Sequence, residues 1–214
     1  MKKFDEWYFP AKEQHLPEWM AKRNDRRNGR LTYQAHKYDE AMKHVTAYRA
    51  AVDVGAHIGL WSFLMAGDFG IVTSFEPVAA HRECFEKNIT AKNVKLIPYA
   101  LGAHEDMVAM KTRTKNSSGD TGVAGAGDIR MVKLDSLSLK LADLMKIDCE
   151  GFELAVLEGS VETIKRCRPV VVVEQKGSMS LDYGFPSLAA VKLLTELGMK
   201  EKSCVSGDYI MAWQ

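Results

Sequence analysis

The chain alternates short apolar runs with amphipathic stretches over most of its length. Residues 51–55, 71–76, 94–100, 144–148 and 169–174 are brief apolar runs, the pattern of strands buried on both faces. Helical spacing follows at residues 59–67 and 78–89, then at Phe152, Val156, Gly159 and Ile164. It returns at Leu188, Val191, Leu194 and Leu197, with Ser187 as a candidate N-cap and Gly198 as a stop. Alternating strands and helices predict an α/β fold, a parallel sheet with helices on both faces. Residues 200–206 and 208–213 close around Gly207 with no helix between them, so the last strand is expected to run antiparallel.

Two regions break the alternation. Residues 104–134 hold two alternating runs, 107–110 and 129–132, around a glycine- and serine-rich stretch at 115–127. This reads as an inserted β-hairpin whose long tip is either a functional lid or disordered. Residues 1–50 are polar with scattered aromatics, and helical spacing near 13–24 and 32–47 places Ala35, Tyr38, Met42 and Val45 on one face. That segment is too small for a core of its own. It is expected to be a helical arm packed on a main domain of residues 51–214. Its basic run, Lys22, Arg23, Arg26, Arg27 and Arg30, is either a solvated face or an attractor of anionic substrate.

Bulk properties exclude more than they assign. A net charge of +1 gives no broad nucleic-acid footprint, and no apolar run reaches the roughly 18 residues of a membrane helix. The start, MKKFDEWYFP, lacks the apolar core of a secretory signal, so a cytoplasmic protein is expected. The four cysteines are far apart and form no C-x-x-C, which argues for reduced thiols and against zinc. H-E-x-x-H and G-x-S-x-G are both absent. Oligomeric state is left open.

The candidate chemistry begins at Asp53-Val54-Gly55-Ala56-His57-Ile58-Gly59, a strand, a glycine turn and a helix start. The spacing is G-x-x-x-G rather than the dinucleotide G-x-G-x-x-G, and an acid precedes the first glycine. Asp53 would repel a pyrophosphate but suits an ammonium, as in S-adenosylmethionine. Glu76, followed by Pro77, ends the second strand about 20 residues on, where nucleotide folds place a ribose-binding carboxylate. The strand–turn–acid pattern alone leaves an NAD(P)-dependent oxidoreductase, or a binding protein without catalysis, as alternatives.

Several stretches resemble the FkbM methyltransferase family: VDVGAHIG at 52–59, FEP at 75–77, ALG at 100–102, LDSL at 134–137, KIDCEGFELAVLEG at 146–159 and PVVVVE at 169–174. The chain departs from the family at His57, usually Asn, and Cys149, usually Val. The resemblance implies the Rossmann-like class I methyltransferase fold, a mostly parallel seven-stranded sheet with an antiparallel last strand. It also implies S-adenosylmethionine-dependent O-methylation of a hydroxyl on a sugar or other small molecule. On that reading the cofactor-binding residues are Asp53, Gly55, His57, Gly59, Glu76, Pro77, Ala100 and Leu101, with Tyr33 and Gln34 closing over the methionine end.

Methyl transfer to an alcohol needs alignment and a proton acceptor. Asp53, Glu76, Asp148, Glu150 and Glu174 all fall at or just past strand ends, the rim where open α/β sheets bind ligands. Asp148 is the expected base or acceptor-orienting group, with its pKa raised by Glu150 and Glu174, and Glu150 is its partner. Mg²⁺ is chemically compatible with these carboxylates but is not assigned, because the ligands are few.

Overall fold

Residues 1–50 build more than the two expected helices in the computed structural model, which describes residues 1–213. Strands β1 (Lys2–Phe4) and β2 (Trp7–Phe9) form a hairpin before α1 (His15–Arg23). A second hairpin, β3 (Arg26–Arg27) with β4 (Arg30–Leu31), precedes α2 (Ala35–Met42). Strands of two or three residues carry too little alternation to stand out in sequence. Trp7 and Phe9 are fully buried, packed with Leu16, Met20 and Leu31 against Ile58, Leu60 and Cys84 of the following segment. The Trp7 Nε1 donates to the Leu31 carbonyl at 2.8 Å, and the Arg30 guanidinium lies 3.5 Å from the Trp7 ring. The basic run is largely spent on structure: Arg26 pairs with Asp5, Arg27 with Asp39, and Arg30 donates to the carbonyls of Asn88 and Glu6.

The main sheet takes its strands in the expected sequence. β5 (Ala50–Val54), α3 (Leu60–Asp68), β6 (Ile71–Phe75), α4 (Ala79–Asn88) and β7 (Val94–Ile97) come first. After an insertion follow β12 (Leu144–Ile147), α5 (Glu153–Glu158), α6 (Val161–Cys167), β13 (Val170–Glu174), α7 (Ala189–Glu196), β14 (Lys200–Val205) and β15 (Asp208–Ala212). The order across the sheet is β14-β15-β13-β12-β5-β6-β7. Only β15 runs against the rest, slotted between β14 and β13. Period-two alternation splits the strand residues between two cores. Val52, Val54, Met145, Ile147, Val171 and Val173 pack under Val156, Ile164 and Leu194. Ala51, Val72, Leu144, Val170 and Val172 pack under Tyr38, Trp61, Leu64 and Met65.

Some boundaries differ from the periodic reading. The helix after β12 is two helices, because the chain must turn at Gly159, where a Cβ would overlap the Gly102 carbonyl oxygen. Ser187 does not cap α7; Leu188 precedes it at φ 59°, and the Gln175 side chain accepts from the Ala190 N–H at 3.1 Å.

The insertion holds β8 (Ala100–Leu101), β9 (Asp106–Thr112), β10 (Thr121–Ala126) and β11 (Ile129–Val132), in the order β10-β9-β11-β8. The expected hairpin is the antiparallel β9–β11 pair, with Ile129 opposite Val108. The correction concerns its tip. Residues 121–126, read as loop, are a further strand on the other side of β9. Two glycines mark close approach here: a Cβ on Gly122 would meet the Tyr183 hydroxyl, and one on Gly127, just past the strand, the Ala109 backbone.

If the N-terminal segment shares the main core, Trp7→Ala lowers global stability by about 3–5 kcal/mol in one cooperative transition. Urea denaturation followed by circular dichroism checks this; a separate early transition would show an independently folding arm.

Candidate active site

A cavity opens beyond the carboxyl ends of β5, β6 and β12. Its floor is Asp53, Gly55, Lys146 and Asp148; Glu76, Pro77 and His81 form one side, and Tyr99, Ala100, Leu101 and Phe152 another. Leu16 and Tyr33 of the arm and Ser118, Gly119 and Thr121 of the insertion roof it.

The turn after β5 is shaped by contact with β12. Gly55 has φ 76°, and a Cβ there would overlap the carbonyl oxygen of Asp148. Its N–H and that of Ala56 both donate to the Phe75 carbonyl, at 3.1 and 3.0 Å. Asp53, just before, is completely buried. Its Oδ2 accepts from the Ser62 hydroxyl at 2.6 Å, and its Oδ1 has no partner. Burial pushes its pKa up.

Glu76 does more than wait at a strand end. Its Oε2 accepts the His57 N–H at 2.8 Å; its Oε1 accepts the Val78 N–H at 2.8 Å and lies 3.1 Å from His81 Nδ1. The His57 ring sits 4.3 Å from that of His81, and its Nε2 is 2.8 Å from the Ser118 hydroxyl. Ser118 gives both its N–H and its hydroxyl to Glu13 of the arm, so His57 Nε2 is the donor in its contact with Ser118. Burial, then the neighbouring His81, keeps the His57 pKa well below its ordinary value, so the ring is neutral. A second clasp lies across the cavity. Arg113 donates to the Glu150 carbonyl and to the Tyr183 hydroxyl, each at 3.1 Å, and Tyr183 donates to Val123.

The catalytic candidates sit in a row of alternating charge. Glu174 faces Asp208 across β13 and β15, and Asp148, one step beyond the Ile147–Val173 pair, lies beside Glu174. Three lysines are set into this row. Lys146 Nζ donates to Asp148 Oδ2 at 2.9 Å, Lys176 bridges Glu174 and Asp208, and Lys37 of α2 pairs with Asp208. Oxygens of Asp148, Glu150 and Glu174 lie within 4.8 Å of one another. The expected pKa order is reversed. Burial alone would raise Asp148, but the charge and hydrogen bond of Lys146, together with Glu174 and Lys176, outweigh it and hold the carboxyl down at about 2. Glu150, raised by burial and by the Asp148 charge, stands at about 8, and burial raises Glu174 as well. The sequence shows the crowding of acids; it hides the lysine that decides which of them is ionised.

The family model of the methyltransferase FkbM domain matches residues 53–198, more than half of the chain. The chain belongs to the FkbM methyltransferase family. Two solved methyltransferase structures agree in fold. A putative O-methyltransferase from Klebsiella pneumoniae aligns with TM-score 0.53 at 13% identity, over 92% of this chain and 86% of that one. Precorrin-6y C5,15-methyltransferase from Geobacter metallireducens GS-15 gives 0.52 at 14%, over 86% and 94%. Methyltransferase FkbM from Methylobacillus flagellatus KT gives 0.48 at 16%, over 78% of this chain; the match spans 44% of that longer chain. No curated protein matches in sequence. The family implies S-adenosylmethionine as methyl donor, and the oxidoreductase reading is set aside.

Against the family pattern, the cavity brings together Asp53, Gly55, His57, Glu76, Pro77, Ala100, Leu101, Tyr33, Asp148 and Glu150. Two expected contacts lie behind its wall. Gly59, at φ 94°, packs against Ile89 and Phe85 and starts α3. Gln34 is buried, with its Oε1 accepting from Trp61 Nε1 at 3.0 Å. Sequence reading missed Lys146, His81, Ser118 and Glu13. Lys146 had a signal: two residues before Asp148 on one strand, it must share its face. Glu13 and Ser118 had none, being 105 positions apart.

Because Glu76 already accepts two backbone N–H groups, Glu76→Ala destabilises the protein even without ligand. Leaving those donors unpaired costs about 1–3 kcal/mol each. A melting temperature for the unliganded variant equal to wild type would contradict this.

Proposed function

We propose that this FkbM-family protein transfers a methyl group from S-adenosylmethionine to a hydroxyl of a sugar or other small molecule, with Glu150 taking the proton. The reading is supported chiefly by the acid cluster at the ends of β12 and β13, where an ionised Asp148 stands beside a Glu150 of pKa about 8. The bound donor supplies a methyl carbon activated by a sulfonium. The chain aligns the acceptor with that carbon and disposes of its proton.

Each group has a part in this account. Asp53 Oδ1, unpaired and buried, suits the donor's α-ammonium. A carboxylate offers about four lone-pair directions. Glu76 uses three within the protein, so it takes one ribose hydroxyl, not both. Ala100 and Leu101 line the side left for the adenine edge. Asp148, held ionised by Lys146, accepts a hydrogen bond from the acceptor hydroxyl and orients it. Glu150 has a pKa near working pH, which suits general-base catalysis. Lys146 and Lys176 supply the countercharge that Mg²⁺ would otherwise bring, so no metal is invoked. The free thiols of Cys84, Cys149, Cys167 and Cys204 support a reducing, cytoplasmic setting.

Incubation with labelled donor and a panel of hydroxylated acceptors, read by mass spectrometry, tests the activity. Cofactor binding with no turnover on any acceptor would favour the non-catalytic alternative. Once an acceptor is in hand, kcat/KM should rise with pH through about 8, as Glu150 loses its proton. Glu150→Gln should lower the rate by about 10²-fold or more and flatten that limb. Chelator should leave the rate unchanged; loss of activity restored by Mg²⁺ would replace the lysine account with a metal.

A further inference from the structure

Lys146 is more buried than an orienting role for Asp148 requires. It is 4% exposed, yet it is among the residues that line the cavity floor. Asp53 and Lys146 are register partners on β5 and β12, so their side chains stand next to each other on one face. Among the described residues, the Lys146 ammonium has Asp148 as its one hydrogen-bond partner, which leaves two of its three N–H donors for a ligand. The face of Trp61 lies 5.5 Å away, and Gln34 holds that indole in place. Beside these free donors is the orphaned Asp53 Oδ1. A buried carboxylate oxygen without a partner is costly unless a ligand fills the place. The floor therefore offers an acceptor and a donor side by side.

We propose that Lys146 binds the α-carboxylate of the methyl donor while Asp53 Oδ1 takes its α-ammonium, so that the two register partners read the amino-acid head as a zwitterion. This rests on S-adenosylmethionine being the donor. Charge balance favours it. With Asp53 ionised opposite the donor's ammonium, Asp53, Asp148 and Lys146 together carry −1, and the sulfonium donor, with one carboxylate and one ammonium, carries +1. Burial alone would lower the Lys146 pKa, but Asp148 and Asp53 more than reverse that, so the lysine stays charged. Among the described residues, Glu76, Glu150, Glu153, Glu174 and Lys176 form no hydrogen bond or ion pair with Lys146. On this account Gln34 and Trp61 act on the donor through Lys146, by shielding it from water.

Calorimetry with three ligands on the wild-type protein tests the proposal without any variant. The ligands are S-adenosylhomocysteine, its decarboxylated form, and methylthioadenosine, which lacks the amino-acid head. Removing the carboxylate should weaken binding about 10- to 100-fold, the scale of a charge-assisted hydrogen bond. Lys146→Met should erase that difference while binding methylthioadenosine as wild type does. Equal wild-type affinity for the acid and its decarboxylated form would overturn the proposal alone. So would a Lys146→Met protein that loses all three ligands by the same factor. A wild-type protein that binds none of the three would overturn the donor reading, and this proposal with it.

Discussion

The pair of Lys146 with Asp148 is the interaction on which the rest of the site depends. Both residues lie on one face at the end of β12, the central strand of the sheet, with Lys146 buried and Asp148 opening on the cavity. Removing Asp148 would strand the buried Lys146 charge, which is destabilising. The pair also sorts the neighbouring acids. With Lys146 committed to Asp148, that carboxyl stays ionised, and its charge adds to burial in raising Glu150 and Glu174.

The row continues outward. Glu174, Lys176, Asp208 and Lys37 alternate in sign from the centre of the sheet to α2. Like charges on adjacent strands would repel. The interleaved lysines offset that repulsion in part, and Lys37 fastens α2 to the sheet. The same helix begins at Gln34, whose side chain holds Trp61 against Lys146. The N-terminal segment is thus coupled to the cavity floor by charge and to its roof by Glu13 and Ser118.

His57 shows how a departure from the family pattern is absorbed. An Asn at this turn has a short reach. The imidazole instead spans from His81 to Ser118 and becomes part of the roof. It remains neutral because it is buried beside a second histidine. Glu76 accepts the backbone N–H of His57 and so fixes the turn that carries the ring.

The sequence by itself determined the α/β fold, the strand order in the chain, the reversed last strand and the rim of acids. Each follows from local pattern: short continuous apolar runs, a glycine turn, and a hairpin too short for a helix. Asp53, Gly55, Glu76, Asp148 and Glu150 were legible because strand ends converge on one rim whatever the side-chain detail. Tertiary structure decided the strand at residues 121–126, where mostly small residues leave no alternation to read. It withdrew Gln34 and Gly59 behind the wall and brought in Lys146, His81, Ser118 and Glu13. It also reversed the protonation order of Asp148 and Glu150. The physical reason is common to all of these. A pKa or a hydrogen bond depends on which groups lie within a few ångströms, and that distance is set by packing between strands and loops far apart in the chain.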